Sequence, residues 1–147
     1  MPPQVPWLTI HNTNQQFPWL PGWCETILDH IWYPTTVSTV SRACKKVILR
    51  ALEKSGDPAG IGFKLHDFGY RGSTSNESAA IGGLAHIVNF QGTDTIAALA
   101  LGRKHYHEPM AGFSIPAAEH STITSWGQAH EVDAFRNMLT QYPTGLV

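Results

Sequence analysis

The chain has 147 residues, of which 42% are hydrophobic and 14% are charged, and its formal net charge is −1. This length suits one compact domain, and the apolar content supports a packed core rather than a disordered chain. A near-neutral charge without runs of like charge argues against a nucleic acid or an anionic membrane as the main partner.

The cysteines and the first residues favour a cytoplasmic protein. Cys24 and Cys44 have neither CxxC nor metal-ligand spacing, so reduced thiols are expected rather than a disulfide. Residues 1–6 lack a basic region followed by an apolar run, and no stretch approaches the length of a membrane-spanning helix. We therefore expect cytoplasmic localisation.

Residues 1–22 predict a proline-rich opening segment. Five of the ten prolines fall there, so the segment is expected to be extended or looped, with one short strand over residues 7–10. It does not have the character of an independent domain.

Residues 23–56 predict two helices. Trp23, Ile27 and Ile31 recur every four residues and indicate an amphipathic helix that stops before Pro34. A second helix is predicted from about residue 36 to residue 55, where Gly56 and the proline that follows end it.

The remaining residues, 61–147, alternate short apolar runs with helical patterns three times. The predicted strands are residues 61–65, 86–90 and 112–115. The helices after them begin near Thr74, where a capping-box spacing occurs, at Thr93 or Asp94, and near Glu119. Something is expected to pack closely on Gly82 and Gly83, because glycines are costly inside a helix. A last helix covers about residues 128–140, with Phe135, Met138 and Leu139 expected to point inward. Such alternation is typical of a parallel sheet with helices packed outside. The fold prediction is one α/β domain with two helices followed by three strand-helix units.

Polar or glycine-rich residues follow each predicted strand. In a parallel α/β architecture, ligands bind beyond the carboxyl ends of the strands. Residues 66–72, 91–94 and 114–120 fall there, and we expect them to form one composite site. The pattern alone does not predict the substrate.

Three residues of these loops are candidates with competing interpretations. Arg71, in a glycine-rich loop, suits a phosphate or an aromatic ligand, and it could equally form a surface pair with Asp67. Asp94 lies at a helix start, where capping alone would explain it. His120 could act as a base, a ligand or a phosphoryl acceptor, although structural histidines are more common.

Other familiar sites are not indicated. His105, His107 and Glu108 lie together in a polar loop without a third metal ligand at a usual spacing, so a solvated loop is favoured over a metal site. No Walker-type loop or GxGxxG motif is present, and neither Ser114 nor Ser121 lies in a GxSxG turn.

Three long motifs resemble the nicotinamide phosphoribosyltransferase family. They are KLHDFGYRG at residues 64–72, VNFQGTDT at residues 88–95 and SIPAAEHSTIT at residues 114–124. The segments WCETIL at residues 23–28 and WYP at residues 32–34 fit the same family in the same order. Several long motifs in the correct order make this resemblance specific, and it covers nearly the whole chain.

The resemblance implies a fold, a reaction and roles for five residues. The family folds as an α/β barrel of the type II phosphoribosyltransferase kind, of which this chain would be a part. It condenses nicotinamide with phosphoribosyl pyrophosphate and Mg²⁺ to give nicotinamide mononucleotide and pyrophosphate, in the biosynthesis of NAD. By position, Phe68 would stack on the pyridine, and Arg71 would lie beside the ring and the ribose phosphate. Asp94 would accept a hydrogen bond from the carboxamide NH₂, and Ser114 would line the same pocket. His120 would take a phosphoryl group from ATP.

Two alternatives and one expectation about partners follow from the same resemblance. A carboxylate at Asp94 favours an amide donor and repels the carboxylate of nicotinic acid, which argues against nicotinate as the substrate. A fragment that binds nicotinamide or a partner subunit without turnover is the other alternative. The motifs correspond to about the middle third of the family's length, so we expect a homodimer or a complementing chain.

Overall fold

Helices dominate the computed structural model, which describes residues 4–6, 8–145 and 147. The α-helices in the described part are α1 Leu20–Ser55, α2 Asn76–Ile87, α3 Ile96–Tyr106, α4 His120–Ser125 and α5 Glu131–Gln141. Shorter 3-10 helices cover Pro58–Phe63, Gly69–Gly72 and Gln128–His130. α2 packs against both α1 and α3, so these three helices enclose most of the buried residues.

Helix α1 continues through Pro34, and the prediction of two separate helices is wrong. A proline inside a helix removes one backbone hydrogen bond and costs about 3 kcal/mol. Contacts with α2 on both sides of the proline offset this cost. Before it, the Tyr33 ring packs so closely on Gly82 that a β-carbon there would clash. After it, Ser41 Oγ lies 2.9 Å from Nδ1 of the buried His86.

Helix α2 begins where the capping pattern placed it, within one residue. Ser75 is the N-cap, and its hydroxyl accepts the backbone N–H of Ser78 at 3.0 Å. Gly82 and Gly83 are buried in the middle of the helix. A β-carbon on Gly83 would lie 2.8 Å from that of Ala98 on α3. The prediction that something packs closely on this glycine pair is therefore confirmed.

The predicted partial α/β barrel with three strand-helix units is wrong, because the described residues contain no strand and no sheet. The run predicted as the first strand lies mostly in the 3-10 helix Pro58–Phe63. The second run begins inside α2, which extends to Ile87. The third contributes only an isolated bridge at Phe113. Apolar runs this short are compatible with either secondary structure, and neighbouring segments decide between them.

The predicted strand over residues 7–10 is not present in the described residues 8–10. Trp7 lies outside the described residues, and residues 8–10 adopt no regular secondary structure. The residues around them, 4–6 and 11–14, are likewise without helix or strand apart from one turn position.

The end of the chain follows the predicted helices but not their predicted inner face. α4 begins at His120 with Glu119 as its N-cap, as expected from the sequence. In α5, Ala134 is buried and Met138 is half-buried, whereas Phe135 and Leu139 are 48% and 62% exposed. The prediction that these two large side chains point inward is wrong, because few other residues pack against α5.

The two cysteines are free, as predicted, and both lie half-buried on α1. Among the described helices, none is both long enough and apolar enough to cross a membrane.

Candidate functional site

The three predicted ligand loops are neighbours, joined by backbone hydrogen bonds rather than by a sheet. The N–H of Asp67 donates to the carbonyl of Gly92 at 3.0 Å, and the N–H of Asp94 donates to the carbonyl of Asp67 at 2.9 Å. The N–H of Thr93 donates to the carbonyl of Phe113 at 2.9 Å. Single parallel bridges, Asp67 with Thr93 and Gly92 with Phe113, accompany these bonds. The loops therefore converge on one place, although the strands expected to carry them are absent from the described residues.

The carboxylate of Asp67 stabilises this junction. Its Oδ1 accepts the backbone N–H of Gly69 at 2.8 Å, and its Oδ2 accepts the hydroxyl of Thr93 at 2.9 Å. Among the described residues, no ion pair joins Asp67 to Arg71. The surface pair that was one interpretation of Arg71 is therefore not formed, and the guanidinium lies exposed.

Asp94 does not cap α3, contrary to the simplest interpretation of its position. Its Oδ1 lies 3.2 Å from Nε2 of His66 and also accepts the hydroxyl of Ser114. The N–H of Thr95 at the helix start is instead bound by the hydroxyl of Thr93, at 2.9 Å. The carboxylate of Asp94 is thus held by side chains from the other two loops and remains 39% exposed.

These contacts favour the ionised form of Asp94. Partial burial by itself would raise the pKa of this carboxyl. The hydrogen bonds from Ser114 and His66, together with the charge that His66 can carry, outweigh burial and lower the pKa of Asp94 below its ordinary value. At neutral pH the site therefore presents a carboxylate that can accept hydrogen bonds but cannot donate one.

His66 is a site residue that the sequence analysis did not single out. Its side chain is only 7% exposed, and its ring lies 4.5 Å from the ring of Phe68, between centroids, at a tilt of 37°. It contacts Asp94 on one side and Phe68 on the other, so these two candidate residues share one neighbour. The signal in the sequence was its place directly before Asp67, at the start of a predicted ligand loop.

Phe68 presents its ring to open space. The side chain is 56% exposed and borders a cavity of about 520 Å³ between α1 and α2. His66 and Asp67 also line this cavity, as do Tyr33 of α1 and Gly82 of α2. An aromatic face exposed next to a cavity is available for stacking on a planar ligand.

The other two candidates, Arg71 and His120, both influence the carboxylate of Glu119. Glu119 Oε1 lies 2.5 Å from Nδ1 of His120. The hydroxyl and the backbone N–H of Ser121 lower the pKa of Glu119, and the charges of His120 and Arg71 lower it further. Within the described residues, His120 contacts Glu119 directly, whereas Arg71 acts on it only through its charge. None of the hydrogen bonds or ion pairs found among the described residues joins this cluster to the one around Asp94.

The site contains no ready-made metal centre within the described residues. No group of three or more His, Cys, Asp or Glu side chains is placed to hold an ion there. This includes the loop with His105, His107 and Glu108, for which a solvated loop was favoured.

Three curated relatives share most of this chain. A nicotinamide phosphoribosyltransferase of Xanthomonas campestris pv. campestris is 58% identical over 92% of the chain and 29% of its own length. A protein of the same name from Acinetobacter baylyi is 32% identical over 98% of the chain and 29% of its own length. Another from Mycoplasma genitalium is 33% identical over 97% of the chain and 30% of its own length. The chain thus spans about 30% of the length of the curated relatives it matches.

The family assignment rests on a match that covers more than half of the chain. The sequence profile described as "Nicotinate phosphoribosyltransferase (NAPRTase) family" matches residues 63–144, which include all five candidate residues. The chain belongs to the nicotinate phosphoribosyltransferase (NAPRTase) family.

Proposed function

We propose that this chain supplies the pyridine-binding part of a nicotinamide phosphoribosyltransferase. Such an enzyme joins nicotinamide to phosphoribosyl pyrophosphate and releases pyrophosphate. The observation that carries the proposal is the ionised, partly exposed carboxylate of Asp94. The imidazole of His66 contacts both this carboxylate and the exposed ring of Phe68. The names of the relatives from three bacteria support the same activity.

Asp94 accounts for the choice of the amide over the acid. An ionised carboxylate accepts the N–H of a carboxamide, whereas it repels the carboxylate of nicotinic acid. The lowered pKa of Asp94 supports this, since a protonated carboxyl could hydrogen-bond to either compound. Nicotinate phosphoribosyl transfer, the alternative within the family, would place two negative charges together.

Phe68, Arg71 and Ser114 complete the binding role. The ring of Phe68 stacks on one face of the pyridine, and the guanidinium of Arg71, free of ion pairs among the described residues, binds the ring edge and the ribose phosphate. Ser114 donates its hydroxyl to Asp94 and so orients the carboxylate, and it would contact the pyridine beside it.

The reaction requires alignment more than acid-base chemistry. The lone pair of the pyridine nitrogen forms the new bond to the anomeric carbon, while the bond from that carbon to pyrophosphate breaks and pyrophosphate leaves with the electron pair. Because the pyridine nitrogen is already a nucleophile, no general base is needed. Stacking and the amide contact align the pyridine nitrogen with the anomeric carbon, which takes on an oxocarbenium-like charge as pyrophosphate leaves.

Mg²⁺ would enter this site on the phosphates of phosphoribosyl pyrophosphate. A magnesium ion bound in that way needs only one or two protein carboxylates. The ion would neutralise the charge of the leaving pyrophosphate, while the role of this chain would be to orient the pyridine.

ATP would act through His120. The Nδ1 atom is held by Glu119, and the side chain is 80% exposed, so the other ring nitrogen faces solvent. That nitrogen would form a bond to the γ-phosphorus as the bond from phosphorus to ADP breaks. Glu119 would stabilise the resulting charge on the ring.

A second chain, either another copy of this one or a complementing polypeptide, would cover the other face of the pyridine. This rests on the exposed ring of Phe68, which can cover only one face.

Mononucleotide formation by the purified chain tests the proposal. The assay supplies Mg²⁺ and phosphoribosyl pyrophosphate with nicotinamide or nicotinic acid, each with and without ATP. Product from nicotinamide, with loss of the amide preference in Asp94→Asn but not in Asp133→Asn, is the expected result. Saturation-transfer NMR with both pyridines is run alongside. Binding of nicotinamide without product would make the chain a binding fragment, and absence of binding to either compound would contradict the proposal.

A further inference from the structure

We infer that His66 is a positioning residue for Asp94, one that donates its Nε2–H to Oδ1 and leaves Oδ2 free for the amide of the substrate. This inference rests on the proposed function, because it names the group that orients the residue that selects the amide. His66 itself would touch the stacking residue and the selecting residue, not the reacting atoms.

The surroundings of the imidazole determine which nitrogen carries the proton. Nδ1 is buried and has no hydrogen-bond partner among the described residues. It faces the α-carbon of Gly92 so closely that a β-carbon there would lie only 2.6 Å away. A buried N–H without an acceptor costs more than an unprotonated nitrogen without a donor, and the carboxylate at Nε2 requires a donor. The neutral ring therefore carries its proton on Nε2.

The ring is also fixed in orientation. It is 7% exposed and lies between the Phe68 ring and the backbone of Gly92. Gly92 in turn is held by the hydrogen bond from the N–H of Asp67. Since the imidazole has little room to rotate, the direction of its Nε2–H is set by packing, and the carboxylate of Asp94 follows that direction.

The two donors to Asp94 share a single oxygen. His66 Nε2 and the hydroxyl of Ser114 both reach Oδ1, and none of the hydrogen bonds among the described residues reaches Oδ2. A carboxylate oxygen offers about two lone-pair directions, so Oδ1 is saturated by these donors. The Asp94 side chain is 39% exposed, and Oδ2 is the oxygen left without a protein donor for a ligand amide.

The experiment compares two substitutions of His66 with a surface control. In His66→Gln, the amide nitrogen replaces Nε2 and can still donate to Asp94, whereas His66→Phe keeps a ring of similar size without a donor. His130→Gln, at an exposed histidine that pairs with Asp133, is the control. Amide ¹H–¹⁵N spectra establish that each variant is folded.

Three measurements are made on the full chain. Long-range ¹H–¹⁵N NMR of the imidazole, at about pH 8 where histidine is ordinarily neutral, identifies the tautomer. Carboxyl ¹³C NMR follows the titration of Asp94, whose other titratable contact is His66 itself. Ligand-observed NMR then gives the relative affinity for nicotinamide and nicotinic acid.

We expect the Nε2–H tautomer in the native chain. In His66→Phe we expect a raised pKa of Asp94 and about a tenfold loss of preference for nicotinamide, the size of one hydrogen bond to a charged group. His66→Gln should restore most of both, and His130→Gln should change neither. A purely structural histidine would give similar losses of folding in the two His66 variants without this selective rescue.

The outcomes separate this inference from the proposed function. An Nδ1–H tautomer, which is measured on the native chain and needs no folded variant, would overturn the inference. So would an unchanged titration of Asp94 in a folded His66→Phe variant. If the tautomer and titration are as expected but the native chain prefers neither pyridine, the link between His66 and Asp94 stands and the proposed function fails.

Discussion

His66 Nε2 and Asp94 Oδ1 lie 3.2 Å apart although 28 residues separate them in the chain. The same imidazole lies against the ring of Phe68. The group proposed to select the ligand and the group proposed to stack on it are therefore coupled through one buried side chain. Four predictions follow from this arrangement and from the helices that support it.

The hydrogen bond from Ser114 should influence the acid stability of the chain. The pKa of Asp94 in the folded chain is lowered from 3.8, so the ionised carboxylate stabilises the folded state above pH 3.8. This stabilisation is lost as the pH falls through the lowered pKa of the folded chain. Ser114→Ala should raise the pKa of Asp94 and lower the free energy of unfolding at pH 7 more than at about pH 3. Urea denaturation at both values, with carboxyl NMR of Asp94, provides the measurement.

Ser125→Ala is the control for that comparison, since this exposed serine bonds, among the described residues, to the backbone carbonyl of Thr122 alone, at 2.7 Å. Its effect should not depend on pH. A loss in Ser114→Ala that is equal at both pH values would show that Ser114 does not act through the carboxylate.

Replacing Phe68 should weaken the binding of nicotinamide and of nicotinic acid equally. The Phe68 side chain is 56% exposed, so Phe68→Leu should alter the free energy of unfolding by less than about 0.5 kcal/mol. The loss of one stacking contact should lower the affinity for nicotinamide and for nicotinic acid about 3- to 10-fold each. Their ratio should not change, because the leucine side chain still packs against the His66 ring. Phe135→Leu, at a similarly exposed phenylalanine on α5, should leave both affinities unchanged. A change in the ratio of the two affinities would show that Phe68 contributes to selectivity and not to stacking alone.

The buried contact between α1 and α2 should be costly to break. Ser41 Oγ lies 2.9 Å from Nδ1 of His86, whose Nε2 lies 3.0 Å from the carbonyl of Leu65. Because Nε2 must donate to that carbonyl, Nδ1 accepts from Ser41, and Ser41→Ala leaves it without a donor. We expect the free energy of unfolding to fall by about 1–3 kcal/mol. Ser55→Ala, exposed near the end of the same helix, should cost less than about 0.5 kcal/mol by urea denaturation. Equal costs would show that the Ser41–His86 contact contributes nothing.

The glycine at the centre of α2 should not tolerate a methyl group. In Gly83→Ala the new carbon would meet Ala98 at 2.8 Å, Asp67 Oδ2 at 3.0 Å and Thr95 at 3.1 Å. Overpacking costs about 1–3 kcal/mol, which exceeds the gain of up to about 1 kcal/mol from replacing glycine in a helix. The melting temperature should therefore fall.

Gly22→Ala is the opposite case and the control, because nothing lies within 4 Å of its added carbon in the first turns of α1. That variant should melt at the same or a higher temperature. A rise in both variants would contradict the close packing of α2 on α3.

The sequence by itself determined the features that depend on neighbours within a few residues. The capping pattern before α2 and the glycine after α1 marked helix ends, and Glu119 marked the start of α4. In each case the backbone groups are satisfied locally, as in the 2.8 Å bond from Ser121 N–H to Glu119. The long motifs likewise identified the family without structural information, because they depend only on the order of residues.

Only the tertiary structure decided the strands, the continuity of α1 and the role of His66. The short apolar runs could become strands only if neighbouring segments formed a continuous ladder of backbone hydrogen bonds with them. Here each neighbouring segment forms a single bridge at most. Pro34 remains inside a helix because Tyr33 and Ser41 both pack on α2. Asp94 resembled a helix cap until His66 and Ser114, 28 and 20 residues away, were brought to it. Contacts between residues so far apart depend on how every intervening segment folds, and no local pattern encodes them.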